Sequence, residues 1–538
     1  MTSNRDKVGV ETIEAAAAES YKPKGGGNDE ANVLQNIEGM NLEDFEEQLK
    51  DVSSLEDEIL TEEERLHPWK QTPRLFILVA FAALGAFIVG VDISLVSGAE
   101  IQFMYKFKIA NKTNLLGLTT SATTLGALVG SMAAIILNDK IGRRGTLLIA
   151  GVWSVGSALW EALAPSWAML LVGRLMLGIS MGMISSTVPI LLAEAVPTAI
   201  RGAIASLYQQ LVATGWRLML GTTLVPGAIE TVGKHEHAME VLKRLRISRE
   251  HALRDYVIIR KACEEESRMT AGKNMYFELV RVPSLRRALF VGVLLMLFQQ
   301  YCGMNVFMYY VDYMFKTMIH VSSKKAVLAS MVAGFANAVF TIPVYWTIDK
   351  YGRRSLQLWT FPVMCAMQVL ALFSYYGTKW VNFALFIIAI FFFIAAYSPA
   401  NGPVPWVYNA EIFPLYIRSE GMAITTFTNY MFNFVVSFSW PDMLKSMKAQ
   451  GGYGFYAAAI AWGWVMLFFF MPETKGYTLE QMRLVFEHSL GEIAKYHWHC
   501  GVNNVKRVLG MKNVNASIPS PYDKAANLKE HGIEEEEM

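Results

Sequence analysis

Long apolar stretches separated by short polar turns fill the chain from residue 76 to residue 470. A first group runs Phe76–Gly98, Leu115–Leu137, Thr146–Leu163 and Ala168–Leu192, and a further stretch begins at Gly202. A second group runs Ala288–Val311, Ala326–Ile348, Leu356–Phe373, Val381–Val407, Gly421–Phe438 and Tyr453–Phe470. Each is near the roughly twenty residues that a helix needs to cross about 30 Å of hydrocarbon. The period-two alternation that marks a closed membrane barrel is absent. In lipid, a spanning segment satisfies its own backbone N–H and C=O groups, so the pattern predicts an all-α polytopic membrane protein.

The turns between the stretches repeat. Asp139-Lys140-Ile141-Gly142-Arg143-Arg144 follows the second apolar stretch of the first group, and Asp349-Lys350-Tyr351-Gly352-Arg353-Arg354 follows the second stretch of the second group. A turn duplicated with its flanking spans predicts two related halves around a central path. Arginine and lysine in short loops set orientation, which puts both turns, Arg201, Arg281–Arg287 and Arg418 in the cytosol and the loops near Asn111 and Lys379 outside. Asn111-Lys112-Thr113 matches an N-glycosylation acceptor close to the membrane. The predicted organisation is an acidic cytosolic tail (1–72), a first transmembrane bundle (73–229), a cytosolic helical linker (230–285), a second bundle of six helices (286–473) and a cytosolic tail (474–538).

The same turns expose an odd count. With both turns in the cytosol, the first half needs an even number of spans. Four are clear, and Gly202–Ile229 has 28 residues, too many for one ordinary span and too few for two with a loop. The expectation is an incomplete first bundle, with about eleven spans in all, or ten plus a short re-entrant hairpin. Thr214-Gly215-Trp216-Arg217 is the natural break, because Arg217 at mid-bilayer is costly.

Charge confirms where water lies. Only 18% of the 538 residues are charged, and they gather in 1–70, 230–285 and the tail after about 474. The formal charge of +1 gives no reason to expect nucleic acid. Four cysteines, at 263, 302, 365 and 500, lack paired or metal-ligand spacing. No nucleotide-binding loop and no zinc signature is present, so neither a cofactor, a metal nor nucleotide-driven work is expected. The reading is a non-enzyme that runs on gradients, with the lipid bilayer as its partner, working as a monomer.

Several motifs in order now carry a resemblance. The matched Gly-Arg-Arg turns, Gly173-Arg174, Pro189 with Glu194, Pro197, Arg201-Gly202 and Pro472-Glu473-Thr474-Lys475-Gly476 resemble the sugar porter family of the major facilitator superfamily over roughly residues 75–485. The acidic head and long tail are similar to fungal members. The resemblance implies twelve spans in two bundles, alternating access, a sugar or polyol as substrate and a plasma-membrane location with both termini cytosolic. It also implies that the end of span five and most of span six are missing here, because Gly215 meets Trp216-Arg217 directly. A faulty gene model and a natural truncated isoform both remain open.

Candidate chemistry sits on polar residues within apolar spans. Asp92 and Arg174 are charges at membrane depth, which are costly unless paired or functional. Protonating Asp92 would cancel a buried charge and release a partner such as Arg174. The resemblance assigns these two to proton coupling, and a purely structural ion pair is the alternative. Gln299, Gln300 and Asn305 interrupt a span, with Gly303 allowing a local break. Neutral amides suit a polyhydroxylated solute because each both donates and accepts. By resemblance Gln209, Gln299, Gln300, Asn305, Asn337, Trp406 and Asn429 contact the sugar, the alternative being amide packing between helices. Trp406, after Gly402-Pro403-Val404-Pro405, can stack on the apolar face of a sugar ring. Arg143, Arg144, Glu194 and Arg201 in the first half, and Arg353, Arg354, Glu411 and Arg418 in the second, are implied to form a cytosolic conformational latch. Two further readings stand beside transport: a membrane sugar sensor that does not transport, and an inactive product of a truncated gene.

Overall fold

The computed structural model describes residues 112–195, 275–317, 334–376, 379–475 and 484–508, with a few isolated positions beside them. All regular structure among the described residues is helical. Helix α1 (Thr113–Ala162) is two apolar segments joined across the first duplicated turn, where Gly142 takes φ +76°. Helix α2 is Trp167–Ala195. The second half begins with α3 (Met275–Arg281), α4 (Pro283–Tyr301) and α5 (Met304–Thr317). It continues with α6 (Val344–Tyr351), α7 (Arg353–Phe373), α8 (Lys379–Tyr397) and α9 (Val404–Ile412). A 3₁₀ turn at Leu415–Ile417 leads into α10 (Arg418–Phe470), and α11 (Leu490–Val508) closes the order. Lys448, at φ +57°, kinks α10 into two spans' worth of helix.

Asn114–Asn138, Trp167–Leu192, Pro283–Tyr310, Arg353–Phe373 and Arg418–Phe470 are long and apolar enough to cross a membrane. Helix association in lipid gains little from burying apolar surface, so close packing and interhelical bonds decide which helices meet. The first segment of α1 and α2 meet through two glycine ridges, Gly126 with Gly130 and Gly178 with Gly182. A Cβ on Gly126 would strike the Leu175 carbonyl, and one on Gly178 the Thr123 carbonyl. Small residues four apart let two backbones touch, which larger side chains would forbid. Trp167 Nε1 donates to Thr119 Oγ1 at 2.8 Å, and Thr187 Oγ1 donates to Asn138 Oδ1 at 3.1 Å. These contacts make the two segments run parallel along their lengths.

The second half packs around aromatic rings. Phe307 stacks on Tyr453 at 5.6 Å and meets Phe393 at 5.1 Å, while Trp440 leans on Tyr453 and Tyr456. Each such pair contributes about 0.5–1.5 kcal/mol beyond area burial. They tie α5, α8 and both segments of α10 into one body. The expected span 381–407 is two pieces, because α8 ends at Tyr397 and α9 starts only at Val404, after Pro403. Proline lacks the N–H a continuous helix needs.

Candidate functional site

Two helix breaks face each other in the second half. Helix α4 stops at Tyr301, Gly303 takes φ +82°, and α5 restarts at Met304. Gln368 on α7 meets one of the freed carbonyls, donating Nε2 to Cys302 O at 3.0 Å. The second break, between α8 and α9, is held by Gln299, whose Nε2 donates to the carbonyls of Asn401 (2.9 Å) and Gly402 (2.8 Å). Asn429 Nδ2 donates to Gln299 Oε1 at 2.6 Å. Gln300 Oε1 accepts from Asn305 Nδ2, and Ser398 Oγ donates to Asn337 Oδ1 at 2.7 Å. Gln299, Gln300, Asn337 and Asn429 are all buried. The amides thus form buried polar pairs, Gln299 with Asn429, Gln300 with Asn305 and Asn337 with Ser398. A sugar hydroxyl offers the same two functions, so it can replace an amide partner without leaving a polar group unpaired.

Trp406 lies at the meeting of the two halves. It is buried in one apolar cluster with Ala127, Met181 and Val188 from the first half and Met296 and Tyr430 from the second. The Ser185 and Tyr430 hydroxyls share a 2.5 Å hydrogen bond across the same boundary. Toward the end that carries the Gly-Arg-Arg turns, Ile190 packs on Ala410 and Met422. At the opposite end, Gly117 lies so close to Phe438 that a Cβ would come 2.7 Å from its carbonyl oxygen.

The second Gly-Arg-Arg turn is a charge network. Arg353 is buried and forms a two-pronged pair with Glu411, Nη2 to Oε1 at 2.7 Å and Nε to Oε2 at 3.1 Å. Asp349 lies 2.9 Å from the same Nη2, and Thr474 Oγ1 donates to Glu411 Oε2 at 2.7 Å. Glu473 caps α7, accepting the backbone N–H of Arg353 at 2.8 Å and of Arg354 at 3.1 Å. A carboxylate there meets both the unpaired N–H groups and the positive end of the helix dipole. Gly352 at φ +87° makes this approach feasible, since a Cβ would collide with the Glu473 carboxylate. Arg354 turns elsewhere, donating Nη2 to Phe468 O at 2.9 Å and lying 5.7 Å over the Phe468 ring. Arg418 is buried and donates Nε to Phe413 O at 3.4 Å.

Arg174 is a buried charge of the first half. Its Nε donates to Thr119 O at 2.8 Å, Nη2 to Thr123 Oγ1 at 3.4 Å, and Nη1 pairs with Glu161 Oε1 at 3.1 Å.

Comparison with known proteins decides the family. The profile of the family described as "Sugar (and other) transporter" matches residues 78–229 and 228–486, in two blocks that overlap at 228–229. The chain belongs to the sugar transporter family. The galactose-proton symporter of Escherichia coli (strain K12) is 29% identical over 440 residues, covering 76% of this chain and 93% of the symporter. Myo-inositol transporter 1 of Cryptococcus neoformans is 28% identical over 474 residues, covering 78% of this chain and 83% of the relative. The proton:xylose symporter XylE bound to 6-bromo-6-deoxy-D-glucose superposes with a TM-score of 0.66 at 26% identity, over 77% of this chain and 99% of XylE. The fold is that of the major facilitator superfamily, and this sugar transporter family member is an integral membrane transporter.

Within that family frame, the structure gathers Gln299, Gln300, Asn305, Asn337, Asn429 and Trp406 around the two breaks and the boundary between halves. Arg353 and Glu411 are brought together; Arg354 and Arg418 lie near that network but bond to other groups. Arg143 and Arg144 directly follow the Gly142 kink, the first half-buried and the second exposed. Asp92, Asn111, Arg201, Gln209 and the proposed break near Gly215 fall outside the described residues, as does the side chain of Glu194. Sequence reasoning missed Glu161, Ser185, Tyr430 and the capping role of Glu473. A lone glutamate near the end of an apolar stretch, 13 residues before Arg174, was the available signal for the first.

Proposed function

We propose that this sugar transporter family member carries a neutral monosaccharide or polyol across the plasma membrane by alternating access, coupled to protons, with both termini in the cytosol. The observation that carries the reading is the amide network built on two facing helix breaks, with buried Trp406 joining it to the first half. Its groups are neutral, so they fit hydroxyls and give no anchor to a charged solute. The galactose-proton symporter and XylE relatives support the choice of sugar and proton. Asp92 with Arg174 is the proposed coupling pair. The network of Arg353, Glu411 and Glu473, together with its first-half counterpart, is the proposed latch, holding one end closed until the halves rock.

The shortened region around Gly215 to Val232 belongs to the same proposal. One block of the family profile ends at 229 and the next begins at 228, which supports a loss of residues within span six, the second of the two places where the chain is expected to be short. Sequencing full-length transcripts tests this: a longer transcript carrying the lost residues is expected.

For function, labelled sugar uptake is recorded together with external pH in cells expressing the chain. Saturable uptake that rises in acid, with external alkalinisation when sugar is added, is the expected result. Binding without uptake would replace transport with sensing or an inactive product.

A further inference from the structure

A proton-coupling pair of one carboxylate and one guanidinium has a physical difficulty. When the carboxylate takes a proton, the arginine is left as a buried cation without its counter-charge. An uncompensated charge at membrane depth is expensive. The structure carries a remedy that the family resemblance did not assign.

Arg174 is 2% exposed, and its guanidinium is held on three sides. Two of the holds are neutral, the Thr119 carbonyl and the Thr123 hydroxyl. The third is the carboxylate of Glu161, at 3.1 Å and 23% exposed. Glu161 comes from the second segment of α1, the two threonines from the first segment, and Arg174 from α2. Three separately positioned strands of helix therefore converge on one cation. The surrounding packing is close: Trp160 and the backbone of Glu161 lie against Gly173, where a Cβ would approach within 3.1 Å. Among the described residues, Arg174 is the charged group facing Glu161, while Thr119 and Thr123 hold other edges of the guanidinium.

We infer that Glu161 is a positioning residue for proton coupling: it is a standing counter-charge that keeps Arg174 compensated and aimed while the coupling carboxylate, proposed to be Asp92, is protonated. The inference rests on the proton-symport reading above. Glu161 itself need not carry the transported proton. Its work is to lower the cost of the state in which Arg174 has been released.

The consequence is measurable in Glu161→Gln, which keeps shape and removes charge. Without the standing counter-charge the guanidinium leans on the coupling carboxylate and holds it ionised. Uptake then needs a more acidic medium, with the half-maximal rate moving about one pH unit lower, the size of a nearby opposite charge. Accumulation against a gradient falls about tenfold. Sugar counterflow, which exchanges solute without net proton movement, stays within about twofold at equal surface expression. Glu161→Asp, retaining the charge on a shorter arm, recovers much of the accumulation.

The experiment compares wild type, Glu161→Gln and Glu161→Asp in the full chain for uptake between pH 4.5 and 8, accumulation and counterflow. An acid dependence in wild type that Glu161→Gln keeps unchanged overturns the role of Glu161 and leaves symport standing. No acid dependence in wild type overturns both. If Glu161→Gln does not reach the surface, Glu161→Asp decides: a shifted pH profile with normal counterflow supports the inference, and a wild-type profile overturns it.

Discussion

At the scale of single residues, Glu411 shows how a short motif gathers a charge network. Its two oxygens take both prongs of Arg353 and the Thr474 hydroxyl, so three elements are tied to one carboxylate. Removing Glu411 takes away the two-pronged partner of Arg353 and leaves Asp349 as its ion pair, at a cost below the roughly 3–5 kcal/mol of a fully uncompensated buried charge. If the network belongs to one end state of the cycle, Glu411→Ala depletes that state. The expected outcome is uptake lowered severalfold while sugar binding is retained, read by transport and equilibrium binding at equal surface expression. Unchanged uptake would remove the network from the cycle. The duplicated turn and the spacing of Glu411 to Arg418 were legible as sequence. The partnering was not: nothing in a spacing of seven says that Arg353 takes Glu411 while Arg354 goes to the Phe468 carbonyl. That choice follows from the direction each side chain leaves the first turn of α7.

At the scale of elements, the hydrophobic runs among the described residues are helices, because lipid leaves a spanning segment little alternative. They gave the breaks less well. Gly303 and the Pro403–Pro405 pair flagged both interruptions, yet the bonds from Gln299 and Gln368 that make the breaks tolerable join residues 66 or more apart in sequence. Helix α11 was not legible either. Its sequence lies in a polar tail, and its order comes from docking on α10, where Trp498 stacks on Phe469 and Gly501 admits the Phe468 ring. His497 anchors that contact, buried and 3.0 Å from the Phe469 carbonyl. Burial, then the nearby Arg354, push its pKa from 6.5 down to about 4, against the pull of the Phe469 carbonyl. A released α11 therefore binds more protons than a docked one between these values. Docking is at full strength above pH 6.5 and weakens as pH falls toward 4, by about 1.4 kcal/mol per unit within that window. The protection of α11 amides, taken relative to their intrinsic exchange rates at each pH, should fall between pH 7 and pH 5 in the wild type. In His497→Phe that pH dependence should vanish; its persistence would assign the effect to another group.

At the scale of the whole molecule, the two halves touch at both ends of the path, through Gly117 on Phe438 at one and Ile190 on Ala410 and Met422 at the other. Gly117 has no side chain to spare, since even a Cβ would press on the Phe438 carbonyl. Gly117→Leu should wedge that end open. Net uptake should fall at least tenfold, and cysteine probes near residue 117 should become more accessible from that side, while the opposite end stays protected. Equal accessibility in mutant and wild type would show that the contact is incidental. The parity of spans, drawn from the Arg143 and Arg353 turns, belongs to this scale as well, because it concerns the whole path and no single helix.

On the alternating-access reading proposed above, contact at both ends makes this a counting device. A pore passes a stream and is described by a conductance. A passage shut behind the solute before it opens ahead passes a counted number, and its ceiling is the tempo of the rocking halves. Abundance outside the cell then changes how often the compartment is full, never how fast it turns.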